Sequence, residues 1–500
     1  EASRLLGKSY VDVNALVTAT STHPDDVTVL SDAVPYAQAI KYAVALPHLP
    51  GFHLEAHPMR HYPWSDQITS LSHVLGYVGK LSPQEYEAHK TNGYRRADEI
   101  GKTGLERSYE TALRGKPGSR LNEVDARGRI KGFAGEQIPL DGQDLTLTLD
   151  IALQKEAEDA LKQQIERAKA ARGSVVVTDP RDGAVLALVS WPSFNNNDFA
   201  GSVSSTVYQA LVKNPERPLF PRAIAGAYPS GSTIKIVYSL AALAEGVINT
   251  DTSVASSGGI RVGQWFFPDW KAGGHGVTNV RKAIAWSVNT FYYYIGGGYG
   301  DFRGLGVDRL GSWLKQFGLN AKTGIDLSGE GAGFVPTKTW RESRGGHWYI
   351  GDTYNLSIGQ GDLLVTPLQV NSYTAAIANK GTWSQPHLVQ GPSKVHQSIK
   401  ADSKHFETVR AGMRDGVTEG SSRALADLPV PAAGKTGTAQ RSQEKNTHAW
   451  FTSFAPYDRP EIVVTVLIEE GGEGSSFAVP VAKRVLKAWW RLRQERGGTF

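Results

Sequence analysis

The sequence predicts a mixed α/β (α+β) protein built on an antiparallel five-stranded sheet packed between helices. Three observations predict this class. Two apolar runs, residues 173–178 and 184–190, flank the turn Asp179-Pro180-Arg181-Asp182-Gly183, which is the pattern of a hairpin. Three further runs, 434–440, 448–454 and 462–468, lie near the other end and are joined by turns. Between the two sets runs a long, mostly helical stretch. One sheet made from both ends, covered by the first and last helices, is the simplest closure.

The elements follow in order. Residues up to about 140 carry short mixed signals: a strand-like run Val74-Leu75-Gly76-Tyr77-Val78-Gly79, a helix-like run 104–110, and a turn at Gly115-Lys116-Pro117-Gly118. After that turn Leu121, Val124, Ala126 and Ile130 are spread among charges, as in a poorly buried strand. This part reads as an elongated, non-catalytic pedestal, residues 1–141. From 142 the pattern tightens. Leu145, Leu147 and Leu149 alternate like a strand. Asp150 is a good N-cap for a helix with Leu153, Ala157, Leu161, Ile165 and Ala168 on one face. The chain closes with a helix from about Val479 to Arg496, with Val481, Val485, Leu486, Trp489 and Leu492 on one side. Its basic side, Lys483, Arg484, Lys487 and Arg491, reads as a solvated surface.

Composition excludes several functions. With 500 residues there is room for two or three domains. The net charge of +5 and the lack of a basic stripe with interleaved aromatics argue against nucleic-acid binding. There are no cysteines, so disulfides, thiolate chemistry and thiolate zinc sites are excluded. No run is long and apolar enough to span a bilayer.

The chemistry starts at Pro229-Ser230-Gly231-Ser232-Thr233-Ile234-Lys235. A serine three residues before a lysine, opening an apolar helix, describes a nucleophile with a base one turn away. Ser-x-x-Lys occurs at Ser232, Ser312 and Ser442, so spacing alone does not choose. Context does: only Ser232 sits on a loop feeding a buried helix, whereas Ser312 lies within an amphipathic helix and Ser442 in a polar turn. Of two Ser-x-Asn matches, Ser193 lies in a loop and Ser287, with Asn289, in a helix-compatible setting. Of three Lys-Thr-Gly matches, only Lys435 lies on a strand followed by two more; Lys102 and Lys322 precede turns.

The set Ser232/Lys235, Ser287/Asn289 and Lys435-Thr436-Gly437-Thr438, in that order, resembles the penicillin-recognising serine acyltransferases. Tyr228-Pro229-Ser230-Gly231-Ser232-Thr233-Ile234-Lys235 is similar to the nucleophile segment of class B penicillin-binding proteins. The runs 359–369 (GQGDLLVTPLQ), 175–183 (VVVTDPRDG) and 100–107 (IGKTGLER) resemble the elongation-type penicillin-binding protein 2 branch of that class. The resemblance runs from about Leu49 to the end of the chain.

This resemblance implies a penicillin-binding transpeptidase fold for residues 142–500, behind a dimerisation-type pedestal at 1–141. It implies a peptidoglycan D,D-transpeptidase that cross-links stem peptides through a serine acyl-enzyme during cell elongation, and that β-lactams acylate. Ser232 would be the nucleophile and Lys235 its neutral base, with Lys435 nearby to lower the Lys235 pKa. Ser287 would relay a proton to the leaving amine, and Asn289 would hold the substrate amide. Lys435, Thr436 and Thr438 would bind the terminal carboxylate. Gly437 would let the substrate strand approach, and the backbone N–H groups of Ser232 and Thr438 would form the oxyanion hole. No cofactor and no metal are expected. Asp269 and His275 resemble part of a zinc site in some relatives, but the cysteine those relatives add is missing, so a loop-bracing role is expected. Implied partners are a SEDS-family glycosyltransferase and an MreC-type scaffold. The implied location is the periplasmic face of the inner membrane, with the family's anchor helix missing from this chain. A D,D-carboxypeptidase or β-lactamase-type hydrolase with the same serine is the alternative, and a catalytically idle scaffold is a third reading.

Overall fold

The computed structural model describes residues 2–498, except 21–27, 32–33, 50, 56–58, 97, 126–129, 202, 393 and 441–445. Its centre is a five-stranded antiparallel sheet of β1 (Arg172–Thr178), β2 (Val185–Trp191), β3 (Ala433–Ala439), β4 (His448–Ala455) and β5 (Ile462–Glu469), in the spatial order β3-β4-β5-β1-β2. Both ends of the domain thus meet where β5 pairs with β1, Val466 opposite Val175. Strand β5 is buried along its whole length, so it reads as a nearly continuous apolar run.

The two faces of the sheet build two cores. One face packs under α1 (Ile151–Ala168) and the final helix, and Val464, Val466 and Ile468 of β5 point into it. The other face takes Val463 and Leu467; α2 (Lys235–Ala244) and α3 (Asn289–Gly297) share its core, and α4 (Pro367–Ala378) packs directly on the strands. The last helix, α5 (Gly474–Glu495), begins five residues before the expected Val479 and runs through Pro480. Its basic face is an exposed lattice of ion pairs, with Lys483 and Lys487 on Asp427 and Arg484 on Glu156. The Asp150 N-cap holds as expected, its carboxylate accepting from the Leu153 N–H at 2.9 Å.

Two expected strands change. Residues 145–149 make a single bridge, Leu147 to Val389, in place of a strand. Thr148 turns its hydroxyl onto the carbonyls of Val185 and His387, so the segment is tied at the sheet margin and extends no ladder. In the pedestal, Ser72–Leu75 forms a helical turn and only Val78–Lys80 is a strand, paired with Glu99–Gly101. The helix-like run divides into Gly104–Ser108 and Glu110–Leu113. The exposed pair Ser119–Val124 and Ile130–Gln137 matches the poorly buried strand reading; Ala126 lies outside the described residues.

Residues 60–113 of the pedestal are tied to the helix-and-sheet body. Ser70 N–H donates to the buried Glu158 carboxylate of α1 at 2.9 Å, and Gln154 Nε2 donates to Ser70 Oγ at 2.8 Å and to Leu188 O at 2.9 Å. Ser65 Oγ donates to Asn196 Oδ1 at 2.7 Å, and Tyr109 donates to Asp326 at 2.9 Å. Glycines make the close approaches: a Cβ at Gly76 would lie 1.9 Å from Thr103 O, and one at Gly101 would lie 2.1 Å from Glu106 O.

Candidate active site

Ser232 occupies a 3₁₀ turn, Gly231–Ile234, that runs directly into α2. In a 3₁₀ turn residues i and i+3 eclipse, so Ser232 and Lys235 stand in line. The turn is clamped from all sides. Tyr228 exchanges backbone hydrogen bonds with Val365, and Gly231 N–H donates to Gly359 O at 2.9 Å. Trp450 Nε1 donates to Pro229 O at 3.0 Å, and Tyr373 donates to Thr233 Oγ1 at 2.7 Å. Tyr228 also donates to the buried Glu469 at 2.7 Å, which Arg222 and Arg172 neutralise at 3.0 and 2.8 Å. Trp450 is therefore a core residue that also braces the nucleophile segment.

Glycine is required where the segments converge. Gly231 has φ +51°, and its Cβ would lie 2.7 Å from Thr438 O. A Cβ at Gly437 would lie 2.9 Å from the Thr233 methyl and 3.2 Å from Ser230 O. Gly437 thus makes room for the nucleophile segment against β3, a different reason from the approach of a substrate strand.

Lys235 is fully buried and its ammonium head has definite partners. Nζ donates to Ser287 O at 2.9 Å and to Asn289 Oδ1 at 2.6 Å, and lies 3.4 Å from Ser287 Oγ. Burial pulls its pKa down to about 7, opposed by the charge of Asp269. Among the described residues the Ser232 hydroxyl makes no hydrogen bond, so it is open to a reacting group. Ser287 adopts φ +57° in the break between Val280–Ala285 and α3, a left-handed conformation rare for a non-glycine residue. That turn, which helical spacing alone does not suggest, aims both its carbonyl and its hydroxyl at Lys235.

Asp269 braces this break. Its carboxylate accepts from the N–H groups of Trp270, Asn289 and Thr290 at 2.9, 3.2 and 3.0 Å, and from the hydroxyls of Thr290 and Ser256 at 2.7 and 3.2 Å. Burial alone would raise its pKa; the Thr290 and Asn289 donors and the Lys235 charge hold it below the ordinary carboxylate range. His275 Nε2 lies 3.8 Å from Asp269 Oδ1. With its oxygens committed to five donors, Asp269 holds the α3 N-terminus as the loop brace expected of it. No group of three metal-ligating side chains occurs among the described residues, and Asp269 and His275 alone do not fit a structural zinc site.

Lys435 lies on β3, opposite Thr452 of β4, and its Nζ donates to Thr436 O at 2.8 Å. Burial, with the neighbouring Lys235, pushes its pKa well down. Thr436 Oγ1 and Ser421 Oγ are hydrogen-bonded at 2.7 Å. Strand β3 is a sheet edge, and Thr438 O points outward to accept from Gln360 Nε2 at 3.3 Å. A strand residue turns N–H and C=O to the same side, so the Thr438 N–H faces outward as well. Gln360, whose role no sequence pattern signals, also reaches the residue after β3 by accepting from the Gln440 N–H at 3.3 Å. The structure thus brings Ser232, Lys235, Ser287, Asn289 and residues 435–438 to one place. The rival spacings lie elsewhere: Ser312 on the helix Gly306–Gln316, Ser193 on Thr69 at 2.7 Å, and Lys102 on Glu85 at 2.5 Å. Ser442 falls outside the described residues.

A buried lysine three residues after Ser232 and hydrogen-bonded to Ser287, beside the edge strand of an antiparallel sheet, is the arrangement of a serine acyltransferase. The family model for the penicillin binding protein transpeptidase domain matches residues 173–487, and that for the penicillin-binding protein dimerisation domain matches residues 3–147. The peptidoglycan D,D-transpeptidase MrdA of Haemophilus influenzae is 35% identical over 496 residues, covering 91% of this chain and 73% of the relative. The structure of a Helicobacter pylori penicillin-binding protein (PBP2) in complex with MreC superposes with a TM-score of 0.84 at 29% identity, over 98% of this chain and 90% of that one. Pseudomonas aeruginosa PBP2 in complex with WCK 5153 gives a TM-score of 0.72 at 34% identity, over 87% of this chain and 92% of that one. The chain belongs to the class B penicillin-binding proteins, as a peptidoglycan D,D-transpeptidase of the MrdA (PBP2) type. No helix of the described residues is long and apolar enough to cross a membrane.

Proposed function

We propose that Ser232 attacks the D-Ala-D-Ala bond of a stem peptide while Lys235, neutral, takes its proton. The observation that carries this reading is the state of Lys235: fully buried, fixed by Ser287 O and Asn289 Oδ1, and brought to about 7 by burial. A base matched to ambient pH combines availability with driving force. The tetrahedral oxyanion then sits between the backbone N–H groups of Ser232, in the first turn of its 3₁₀ element, and of Thr438. The Ser287 hydroxyl, 3.4 Å from Lys235 Nζ, relays the proton to the departing D-Ala amine. Asn289 holds the donor's amide, exchanging its bond to Lys235 for one to substrate.

Lys435, Thr436, Gly437 and Thr438 form the cradle for the terminal carboxylate. The arriving anion supplies the counter-charge that buried Lys435 lacks, so substrate binding and Lys435 protonation are linked. A β-lactam presents the same carboxylate and acyl group, but the amine that ring opening frees from the carbonyl stays tethered to the acyl fragment and cannot leave, so its acyl-enzyme persists. An acceptor amine on a neighbouring stem resolves the peptidyl acyl-enzyme into a cross-link.

The remaining assignments rest on the family. Residues 1–141 are the pedestal and 142–500 the catalytic domain. The pedestal meets an MreC-type scaffold, in keeping with the Helicobacter pylori complex, and a SEDS-family glycosyltransferase. The working location is the periplasmic face of the inner membrane. Labelling with a fluorescent penicillin tests the reading: the wild-type chain should carry stable label and Ser232→Ala none. Rapid loss of label, with turnover of a chromogenic cephalosporin, would replace it with the hydrolase alternative.

A further inference from the structure

One carboxylate at the mouth of the site is not used by the mechanism. Glu473 is the residue before α5, and its side chain makes no cap hydrogen bond to that helix. Its Oε2 instead accepts from the Thr438 hydroxyl at 3.0 Å. The N–H of Gly474 lies 3.5 Å from the same Thr438 Oγ1. The placement is fixed by close packing, because a Cβ at Gly474 would lie 2.3 Å from Trp450 O and 2.4 Å from Gly437 O. The start of α5 is therefore pressed against β3 and β4, which sets the exposed Glu473 beside the cradle.

A threonine hydroxyl has a single proton to donate. With that proton on Glu473 and the Gly474 N–H on its oxygen, Thr438 offers an incoming carboxylate no donor until it lets Glu473 go. We infer that Glu473 is a specificity-determining residue that acts through Thr438. It competes, as a built-in carboxylate, with the carboxylate of the acyl donor, and so weakens binding of anionic ligands at this end of the cleft. The inference rests on the carboxylate cradle proposed above. Among the described residues no acid engages Lys435 or Thr436, whose hydroxyl is paired with Ser421, so the competition is confined to Thr438.

The competition acts on binding and leaves the chemical step alone. In Glu473→Gln, stopped-flow acylation by benzylpenicillin should show the half-saturation concentration falling about threefold to fivefold, the scale of a solvent-exposed charge interaction. The limiting acylation rate constant should stay unchanged. The gain should shrink in 0.5 M salt, as screening predicts for exposed charges. In a Thr438→Val background the same substitution should give no gain, since the shared hydroxyl is gone. Glu473→Asp, one methylene shorter, gives the same reading independently and should move in the same direction as Gln. A purely structural role would lower the melting temperature and the limiting rate together, without a selective change in half-saturation. Unchanged or weaker penicillin binding in Glu473→Gln and Glu473→Asp would overturn the inference. If the wild-type chain failed to acylate at all, the cradle itself, and not the role of Glu473, would be at fault.

Discussion

Replacing Asp269 by asparagine separates two effects that the site combines. Asp269 accepts five hydrogen bonds, three from N–H groups and two from hydroxyls, divided between its two oxygens. An asparagine keeps one oxygen and turns an NH₂ toward donors that it cannot satisfy. The least damaging orientation sets the NH₂ against the Trp270 and Asn289 N–H groups, leaving two donors unpaired. At about 1–3 kcal/mol for each unmade buried bond, the loss for the two is roughly 2–6 kcal/mol. In a domain of this size that is a drop of roughly 3–8 °C in melting temperature. The second effect has a definite sign. The Asp269 charge raises the Lys235 pKa against burial, so removing it lets that pKa fall further. The acidic limb of penicillin acylation, near pH 7 in the wild type, should move to lower pH in Asp269→Asn. Measuring acylation rate between pH 5 and 9 alongside calorimetry reads both. An acidic limb that stays in place or moves upward would refute the electrostatic link between Asp269 and Lys235.

Other perturbations have equally definite outcomes. Gly359→Ala places a Cβ 2.0 Å from Gly231 O, so acylation should fall at least tenfold with a clear loss of melting temperature, whereas Gly361→Ala, strained by a similar φ of +76° but with only the Asn355 Cβ at 3.6 Å, should affect acylation far less. Trp450→Phe leaves Pro229 O without its donor and should cost about 1–3 kcal/mol, read as lowered thermal stability together with slower acylation. Glu158→Ala strips the Ser70 N–H of its partner at the pedestal seam and should expose the seam to limited proteolysis before it slows penicillin labelling. Lys235 binds its proton more weakly folded, at about 7, than unfolded, near 10.5. Between those values the unfolded chain holds more protons, so stability should rise with pH by up to about 1.4 kcal/mol per unit, a slope that Lys235→Met should lack.

Much of this was legible before the structure. The hairpin around Asp179-Pro180-Arg181-Asp182-Gly183 and the three late strands announce themselves because each is a short apolar run bounded by turn residues. Ser232 and Lys235 are neighbours in the chain, so local spacing carries their geometry. Ser287 is different. Its left-handed φ is imposed by the fit of two helices against α2, and nothing in Trp286-Ser287-Val288-Asn289 signals it. The roles of Gln360 and Glu469 are hidden for a related reason: each acts on a segment 78 to 241 residues away in sequence, and such pairings exist only once the chain has folded. Residues 145–149 misled because alternation marks an extended, half-buried chain, whether or not a neighbouring strand completes a ladder. The apolar face that marks α5 in the sequence begins at Val479, whereas the packing of Gly474 against β3 and β4 starts the helix five residues earlier and carries it through Pro480.

The central claim is that Ser232 is the residue acylated, with Lys235 as its base. Peptide mapping by mass spectrometry after brief exposure to benzylpenicillin at pH 8 tests it most directly. The account predicts one penicilloyl adduct per chain, on the peptide holding Ser232, absent from Ser232→Ala and strongly diminished in Lys235→Met. An adduct on Ser287 or Ser312, or one of undiminished yield in Ser232→Ala, would contradict it.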